Sequence, residues 1–216
     1  MKNIYSEKEV SYFEHSRPEL LEFLPKKISR ALDIGCANGK FGAMLKSIYN
    51  CEVWGVEADN RAAMQSERKL DKVIYGPFNS EIDLSKDQQF DCIFFNDVLE
   101  HMEQPENALS LASSYLKPNG CVVASIPNIR YYPVLLSLLR YKDFQYADAG
   151  VLDRTHLRFF TAKSMIRLFE EAGFTIERIE GINRGFFRYF EILNFFCLGK
   201  LKDMRYPQFA IVAKIK

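Results

Sequence analysis

ALDIGCANGKFG, residues 31–42, is an apolar run that enters a glycine-bearing turn and continues as a helical pattern. Leu32 and Ile34 have the character of a buried strand, and the residues after the turn repeat their apolar positions at helical spacing. Gly35 and Gly39 bracket the turn, because glycine accepts a positive φ and lets backbone approach a ligand where a Cβ would clash. A strand, a glycine turn and a helix in this order place backbone N–H groups at the carboxyl edge of a sheet, where open α/β folds bind ligands.

The second strand candidate, residues 51–57, ends in an acidic residue. Glu57 stands where the second strand of a βαβ unit ends, and a carboxylate there can accept hydrogen bonds from both hydroxyls of a ribose. The turn before it lacks the G-x-G-x-x-G spacing that brings backbone to a pyrophosphate, since Ala37 replaces the second glycine. This spacing fits a nucleoside without phosphates better than a dinucleotide, and it argues against a nicotinamide-dependent dehydrogenase.

Four motifs in the same order along the chain are similar to those of one enzyme family. DIGCANG (33–39) and Glu57 look like motifs I and II of the class I S-adenosylmethionine-dependent methyltransferases. FDCIFFNDVLEH (90–101) resembles their fourth-strand motif, and LKPNGCVV (116–123) resembles the turn into their fifth strand. Over residues 28–182 this resemblance implies a Rossmann-like α/β fold with a doubly wound, mostly parallel, seven-stranded sheet. Its C-terminal strand would be antiparallel, and helices would cover both faces.

Hydrophobic periodicity and turn signals predict where the other elements lie. We expect strands at residues 72–75, 90–95, 121–126, 174–180 and 208–215, and helices at residues 60–70, 105–116, 133–139 and 161–172. The chain has no repeat or low-complexity linker, so we expect a single methyltransferase domain over residues 1–216. Its additions are an N-terminal cap segment, residues 1–27, which in this enzyme class often covers the cofactor, and insertions near residues 129–160 and 183–207.

Composition and charge narrow the class of protein. With 216 residues, 48% hydrophobic and 26% charged, the chain is globular, and its formal net charge of +1 gives no electrostatic footprint for nucleic acid. The N-terminus has no signal-peptide core, and no stretch reaches the length of a membrane span. The five cysteines form no C-x-x-C pair, so we expect buried free thiols, no metal site and a reducing, cytoplasmic compartment.

The resemblance implies S-adenosyl-L-methionine as cofactor and S-adenosyl-L-homocysteine as product. The positions that match the family's cofactor site are Asp33, Gly35, Cys36, Ala37, Gly39, Glu57, Ala58, Phe78, Asn79 and Asn96. Residues of the glycine turn would hold the methionine part, Glu57 the ribose, and Asn96 lies where the methyl group should point. An acidic residue often binds the adenine amino group in this family, but Pro77 stands there, so Phe78 and Asn79 are the expected adenine contacts.

Two histidines are candidates for the base that a hydroxyl acceptor needs, since histidine titrates near neutral pH. His156 is the first candidate, and His101, shortly after the fourth strand, is the second. Arg154 and Arg158 flank His156, and their guanidinium groups suit an anionic acceptor. The structural alternative for these residues is an internal ion-pair cluster that pins the insertion.

DRTHLRFFT, residues 153–161, resembles a segment of those family members that are often encoded with polysaccharide enzymes. It implies O-methylation of a small-molecule or glycan-linked acceptor, with polysaccharide biosynthesis as the setting. The fourth strand ends in NDVL, residues 96–99, which is not the Asn/Asp-Pro-Pro-aromatic motif of many amino-methylating enzymes. The alternative is a non-catalytic interaction subunit that binds the cofactor, because an intact cofactor motif does not prove turnover.

Apolar residues recur at helical spacing in the segment 186–197, with polar residues on another face. Such a segment usually packs on the body of its own domain. The other interpretations are a contact in a homodimer and a contact with a membrane surface. We expect the protein to stay in solution when it is mixed with lipid vesicles.

Overall fold

The computed structural model describes residues 17–85, 87–186 and 188–216. Residues 1–16 of the predicted N-terminal cap segment lie outside these ranges. The next residues form a short 3₁₀-helix, Pro18–Phe23, whose Leu20 and Phe23 are buried in one of two hydrophobic clusters. The role of the segment as a cap over the cofactor stays a prediction.

A seven-stranded sheet forms the centre of the fold. Its strands are β1 (Arg30–Ile34), β2 (Glu52–Glu57), β3 (Lys72–Tyr75), β4 (Phe90–Asn96), β5 (Leu116–Pro127), β6 (Phe174–Ile182) and β7 (Gln208–Ile215). Their order across the sheet is β3-β2-β1-β4-β5-β7-β6. The first five strands pair in parallel, whereas β7 runs antiparallel between β5 and β6. The predicted Rossmann-like α/β fold with an antiparallel C-terminal strand is confirmed.

Helices and hydrophobic clusters lie on both faces of this sheet. In the described residues the α-helices are α1 (Lys40–Tyr49), α2 (Asn60–Ser66), α3 (Pro105–Ser113), α4 (Tyr132–Tyr141), α5 (Ala162–Glu171) and α6 (Phe190–Phe196). Leu32 and Ile34 of β1 belong to one cluster, and Ala31, directly before Leu32, belongs to the other. Successive strand residues therefore enter opposite cores, which explains why the strands are near-continuous apolar runs.

The strand order reverses at β1, because β2 continues the sheet on one side and β4 on the other. In open α/β sheets, the crevice outside the carboxyl ends of the strands at such a switch point binds ligands. The glycine turn follows β1, and the turn from Asp97 to His101 follows β4. Both turns therefore lie at the edge of the sheet where a ligand is expected.

The largest differences from the predicted element boundaries are in β5 and α2. β5 begins at Leu116 rather than at residue 121, because Leu116 pairs with Phe90 before the register shifts between Phe90 and Cys92. α2 ends at Ser66, before residue 70, and the chain then turns with the Ser66 carbonyl accepting the N–H of Lys69. Periodicity alone does not show such bulges and turns, because the apolar pattern continues through them.

Most described residues of the segment 186–197 do not pack on the domain, so packing on the protein's own body accounts for only part of the segment and the contact in a homodimer stays a prediction. Its helix α6 buries Phe190 beneath the guanidinium of Arg205, 4.8 Å from the ring centre. Phe195 and Phe196 are 77% and 76% exposed. The helix has only seven residues, about two turns, so few of its positions can face the body of the protein. No helix in the described ranges is long and apolar enough to cross a membrane.

Candidate functional site

A cavity of about 1290 Å³ opens at the carboxyl edge of the sheet. Its walls come from the glycine turn after β1, the acidic end of β2, the loop after β3, the turn after β4 and part of the insertion after β5. Ligand pockets usually measure roughly 300–1,000 Å³. The cavity is therefore large enough to hold a cofactor and an acceptor side by side.

Most of the predicted site residues meet in this cavity. The predicted cofactor residues that line it are Asp33, Gly35, Cys36, Ala37, Glu57, Ala58, Phe78, Asn79 and Asn96. The two histidines proposed as bases, His101 and His156, line it as well. The fold thus brings the cofactor motifs and the candidate bases to one place.

The glycine turn has a left-handed backbone at Gly35, where glycine is needed. Gly35 has a φ of +66°, and its N–H donates to the carbonyl oxygen of Val56 at 2.8 Å. A Cβ at Gly35 would lie 2.6 Å from Cγ2 of Val98, so a side chain there would clash as well as strain the backbone. Gly39 does not line the cavity; it caps α1 and lies against Ser66 of α2. Gly39 therefore supports the site indirectly, because it lets the start of α1 lie close to α2.

Glu57 is held at the end of β2 by two backbone donors. Its Oε2 accepts the N–H of Ala37 and its Oε1 accepts the N–H of Asp59, both at 2.8 Å. Burial raises the pKa of Glu57, against the effect of these hydrogen bonds. The bond to Ala37 ties the acidic strand end to the glycine turn. Each carboxylate oxygen has a further lone pair, so binding of ribose hydroxyls is compatible with this geometry.

Asp33 adds a second buried acid to the same cavity. It is 2% exposed at the end of β1. Burial, and after it the charge of Glu57, raises the pKa of Asp33 to about 8. Two buried acids favour a ligand that carries positive charge. S-adenosylmethionine carries an ammonium group and a sulfonium group, so these residues fit it.

The loop after β3 borders the cavity where an adenine ring is expected. Phe78 is buried, and its ring lies 6.0 Å from that of Phe95 and 6.4 Å from that of Tyr115. It is therefore anchored in the hydrophobic core and shows little of its surface to a ligand. Stacking of adenine on Phe78 and a hydrogen bond from Asn79 stay predictions.

Asn96 ends β4 and Asp97 follows it, and the two side chains have different surroundings. Both amide atoms of Asn96 are buried without a hydrogen-bond partner among the described residues. Such a group is costly unless a ligand or water satisfies it, so Asn96 fits a ligand contact. Asp97 instead accepts from Gln208 at 2.8 Å and from Ser125 at 3.2 Å, and it pairs with Arg17. Asp97 therefore braces the cavity wall.

The two candidate bases lie together although they are far apart in sequence. The ring centres of His101 and His156 are 4.7 Å apart. Nδ1 of His101 lies 3.0 Å from the carbonyl oxygen of Thr155, and Nδ1 of His156 lies 3.1 Å from that of Val151. Nε2 of His156 is 4.0 Å from Oε1 of Glu100. Two imidazoles and a carboxyl group therefore share one region of the cavity.

Glu100 is a site residue that the sequence reasoning did not single out. It is 1% exposed in the short 3₁₀-helix Leu99–His101, and burial raises its pKa to about 8. Its backbone carbonyl accepts the N–H groups of Leu157 and Arg158 at 2.8 and 3.0 Å. This pair of bonds fixes the insertion to the turn after β4. The available signal was its position directly before His101 in the fourth-strand motif.

Arg154 and Arg158 do not line the cavity. Arg154 pairs with Asp148 at 2.6 Å and keeps 59% of its side chain exposed. Arg158 donates to the carbonyl oxygen of Glu103 at 2.5 Å. Arg154 thus makes an intramolecular ion pair, as the structural alternative anticipates, whereas Arg158 binds a backbone carbonyl. A role of the two arginines in binding an anionic acceptor stays a prediction.

Arg17 and Gln208 are further cavity residues that no local pattern reveals. They approach from opposite ends of the described chain, and Nη1 of Arg17 lies 3.4 Å from Oε1 of Gln208. Both contact Asp97. Only the fold brings them to the carboxyl edge of the sheet.

Known proteins share the sequence pattern and the fold. The chain matches the family described as "Methyltransferase domain" over residues 8–179. It is 26% identical over 190 residues to a ubiquinone biosynthesis O-methyltransferase of Burkholderia pseudomallei, covering 85% of this chain and 77% of the relative. It is 28% identical over 176 residues to an uncharacterized protein of Methanocaldococcus jannaschii, covering 79% and 75%. A SAM-dependent methyltransferase from Archaeoglobus fulgidus has a similar structure, with a TM-score of 0.68, 21% identity and 91% of each chain covered.

The family match spans most of the chain and includes the glycine turn, Glu57 and the turn after β4. The structural likeness shows the same fold. This match favours a methyltransferase over the nicotinamide-dependent dehydrogenase. The chain belongs to the class I methyltransferases, which use S-adenosylmethionine as their cofactor.

Proposed function

We propose that the protein transfers a methyl group to a hydroxyl oxygen of a small-molecule or glycan-linked acceptor. The observation that carries this proposal is the presence of His101, His156 and Glu100 in the same cavity as Asn96. A hydroxyl must lose its proton when it is methylated, and imidazole and carboxylate groups can accept that proton. S-adenosylmethionine supplies an activated methyl group when it is bound.

In this proposal, each wall of the cavity binds a different part of the cofactor or the acceptor. Asp33 and the turn at 35–37 bind the methionine part and balance its charge. Glu57 binds the ribose hydroxyls, and the amide of Asn96 binds the ligand near the methyl group. His156 accepts the acceptor's proton at Nε2, because its Nδ1 faces a backbone carbonyl and therefore carries the hydrogen.

Two similarities support the acceptor class. The Burkholderia relative is named as an O-methyltransferase of ubiquinone biosynthesis, which indicates a small-molecule hydroxyl for that protein. The segment 153–161 resembles methyltransferases that are often encoded with polysaccharide enzymes. A glycan-linked acceptor and a role in polysaccharide biosynthesis are therefore part of the proposal.

The proposal extends to organisation and compartment. We place one methyltransferase domain over residues 1–216, with a cap at 1–27 and insertions near 129–160 and 183–207, and we propose a homodimer. Four of the five cysteines are buried as free thiols, and the Sγ atoms of Cys92 and Cys121 lie 3.6 Å apart. A reducing compartment such as the cytoplasm keeps such a thiol pair unlinked.

Titration calorimetry with S-adenosylhomocysteine tests the cofactor site. Glu57→Ala should weaken binding by about 1–3 kcal/mol, because the ribose hydroxyls lose their acceptor. NAD should not bind. Binding of S-adenosylhomocysteine that is unchanged in Glu57→Ala would contradict the role given to this carboxylate.

A methyl-transfer assay tests the function itself. Labelled S-adenosylmethionine is incubated with phenols, other hydroxylated small molecules, oligosaccharides and amines, and the label should appear on oxygen. His156→Ala should lower kcat by about 10²-fold or more, with unchanged affinity for S-adenosylhomocysteine. Leu157→Ala is the matched control, because Leu157 is exposed and contacts Glu100 through its backbone. Label on nitrogen alone, or a fully active His156→Ala variant, would contradict the proposal.

A further inference from the structure

Three side chains of the cavity can converge on one point, and we call Glu100, His101 and His156 the Glu–His–His cluster. One ligand atom from each of them lies within 4.8 Å of the other two. Oε1 of Glu100 and Nε2 of His156 are 4.0 Å apart. Ligand atoms around one ion with bonds of about 2.0–2.2 Å are separated by roughly 3–4 Å. Small rotations of the side chains therefore bring the cluster to the spacing of a coordination sphere.

The hydrogen bonds of the two histidines set the tautomer that a metal ligand needs. Nδ1 of His101 faces the carbonyl of Thr155, and Nδ1 of His156 faces the carbonyl of Val151. A carbonyl oxygen only accepts, so each Nδ1 carries the hydrogen and each Nε2 carries the lone pair. Backbone carbonyls that hold the other ring nitrogen are the usual outer partners of metal-bound histidines.

Glu100 gives a second observation that points to a cation ligand. Both of its carboxylate oxygens are buried and have no hydrogen-bond partner among the described residues. The guanidinium of Arg17 acts on it electrostatically, but that group is already paired with Asp97. Buried carboxyl oxygens without a hydrogen-bond partner are costly, and a bound cation satisfies them.

We propose that the Glu–His–His cluster binds one divalent transition-metal ion, with a coordination position open to the cavity. Two imidazoles and one carboxylate suit zinc, iron or manganese. Three protein ligands with an open position are typical of a catalytic metal site, in contrast to the closed shell of a structural one. The sequence expectation of no metal site rested on the cysteine pattern, which does not reveal ligands that the fold brings together.

This inference rests on the proposed function and changes the part that the histidines play. At the open position the ion binds the acceptor hydroxyl and lowers its pKa, so the proton leaves to solvent. The acceptor oxygen then forms its bond to the methyl carbon as the carbon–sulfur bond breaks. The electron pair of that bond stays on sulfur, which changes from a sulfonium to a neutral thioether. The histidines are then ligands, and they do not take the proton themselves.

Metal binding can be measured without any acceptor. The protein is stripped with a chelator and titrated with Co²⁺, followed by visible absorption, and with Zn²⁺, followed by calorimetry. We expect one equivalent to bind the wild type. Glu100→Gln and His156→Ala should each weaken binding by at least about 10–100-fold. Glu52→Gln is the control, because Glu52 is exposed at the amino end of β2, on the opposite edge of the sheet.

Affinity for S-adenosylhomocysteine and the melting temperature show whether each variant is folded. Glu100→Gln keeps the shape of the side chain and decides the question if His156→Ala does not fold. Absence of stoichiometric metal binding by the wild type, or equal binding by Glu100→Gln, would overturn the metal site.

A turnover assay separates this inference from the proposed function. Chelation should lower O-methylation at least about tenfold, and one equivalent of metal should restore it. If O-methylation proceeds unchanged in chelated, metal-free protein, the metal inference is wrong and the proposed function stands. If the metal binds through the cluster and no oxygen is methylated, the site stands and the proposed function is wrong.

Discussion

At the scale of single residues, Gly35 joins the glycine turn to the turn after β4. Its φ is +66°, and an added Cβ would lie 2.6 Å from Cγ2 of Val98. We expect Gly35→Ala to lose about 1–2 kcal/mol of stability from backbone strain alone, with the clash in addition. Since the turn lines the cavity, binding of S-adenosylhomocysteine should be lost in calorimetry.

Gly173→Ala separates strain from clash in this prediction. Gly173 has a φ of +89°, but a Cβ there would meet nothing within 4 Å, and the residue does not line the cavity. Its variant should lose about 1–2 kcal/mol of stability and keep full affinity for S-adenosylhomocysteine. If Gly35→Ala also keeps full affinity, the turn does not position the cofactor as described.

The raised pKa of Asp33 predicts how the free energy of unfolding of the ligand-free protein depends on pH. Its pKa is about 8 in the folded protein, against an ordinary value of 3.8. Between these values the folded state holds a proton that the unfolded state has released, so the free energy of unfolding falls as the pH rises. Asp33→Asn lacks this group and should decline less over the same window. Urea titrations of both proteins at about pH 5 and pH 8 measure the difference, and a pH-independent difference would contradict the prediction.

The parts of the site that depend on short spacing were visible in the sequence. The glycine turn and Glu57 are separated by one helix and one strand, so their meeting follows from the βαβ unit. The positions of Gly39 and Phe78 could not be predicted from spacing alone. Spacing placed both residues near the cavity, but packing decides that Gly39 lies against α2 and that most of Phe78 faces the core.

At the scale of elements, the start of α5 is fixed by a capping box. Oγ1 of Thr161 accepts the N–H of Ser164 at 3.3 Å, and Oγ of Ser164 accepts the N–H of Thr161 at 2.9 Å. The sequence predicts a helix over residues 161–172 but not this pair of reciprocal bonds, since a capping box usually ends in Glu or Gln. Thr161→Ala should lower the free energy of unfolding by about 0.5–2 kcal/mol in urea titrations.

Thr161→Ser is the matched variant for this cap. It keeps the hydroxyl that accepts the Ser164 N–H and should retain most of the stability. An equal loss in the alanine and serine variants would place the effect in the methyl group of Thr161 and not in its hydrogen bond.

The insertion after β5 explains why sequence reasoning could not join the two histidines. The chain leaves the sheet near Ile129 and returns at Phe160, whose carbonyl accepts the Ile129 N–H at 2.8 Å. Between these points, Leu157 is bonded to the carbonyl of Glu100, and this contact brings His156 beside the turn after β4. A loop of this length has many paths, so its contact points follow only from the folded structure.

At the scale of the whole molecule, α6 and the residues that flank it carry large apolar side chains that the fold leaves exposed. Phe186 is 88% exposed and Leu198 is 83% exposed, with Phe195 and Phe196 between them along the chain. Large apolar side chains exposed along one stretch of the chain generally mark a contact surface. In the same region, Arg184 and Arg205 both pair with Glu191, with Arg184 at 3.5 Å. An interfacial membrane helix uses its cations to bind anionic lipids, so this pairing favours a second copy of the chain.

We therefore expect light scattering on a sizing column to give twice the mass of one chain. Phe195→Glu places a charge in the apolar surface and should yield a monomer with an unchanged melting temperature, because Phe195 is 77% exposed and contributes little to the core. Met64→Glu, at an exposed position of α2, should stay dimeric. Vesicles of anionic lipid should float without the protein. A monomeric wild type would contradict the homodimer, and co-flotation that is lost in Phe195→Glu would assign this surface to a membrane instead.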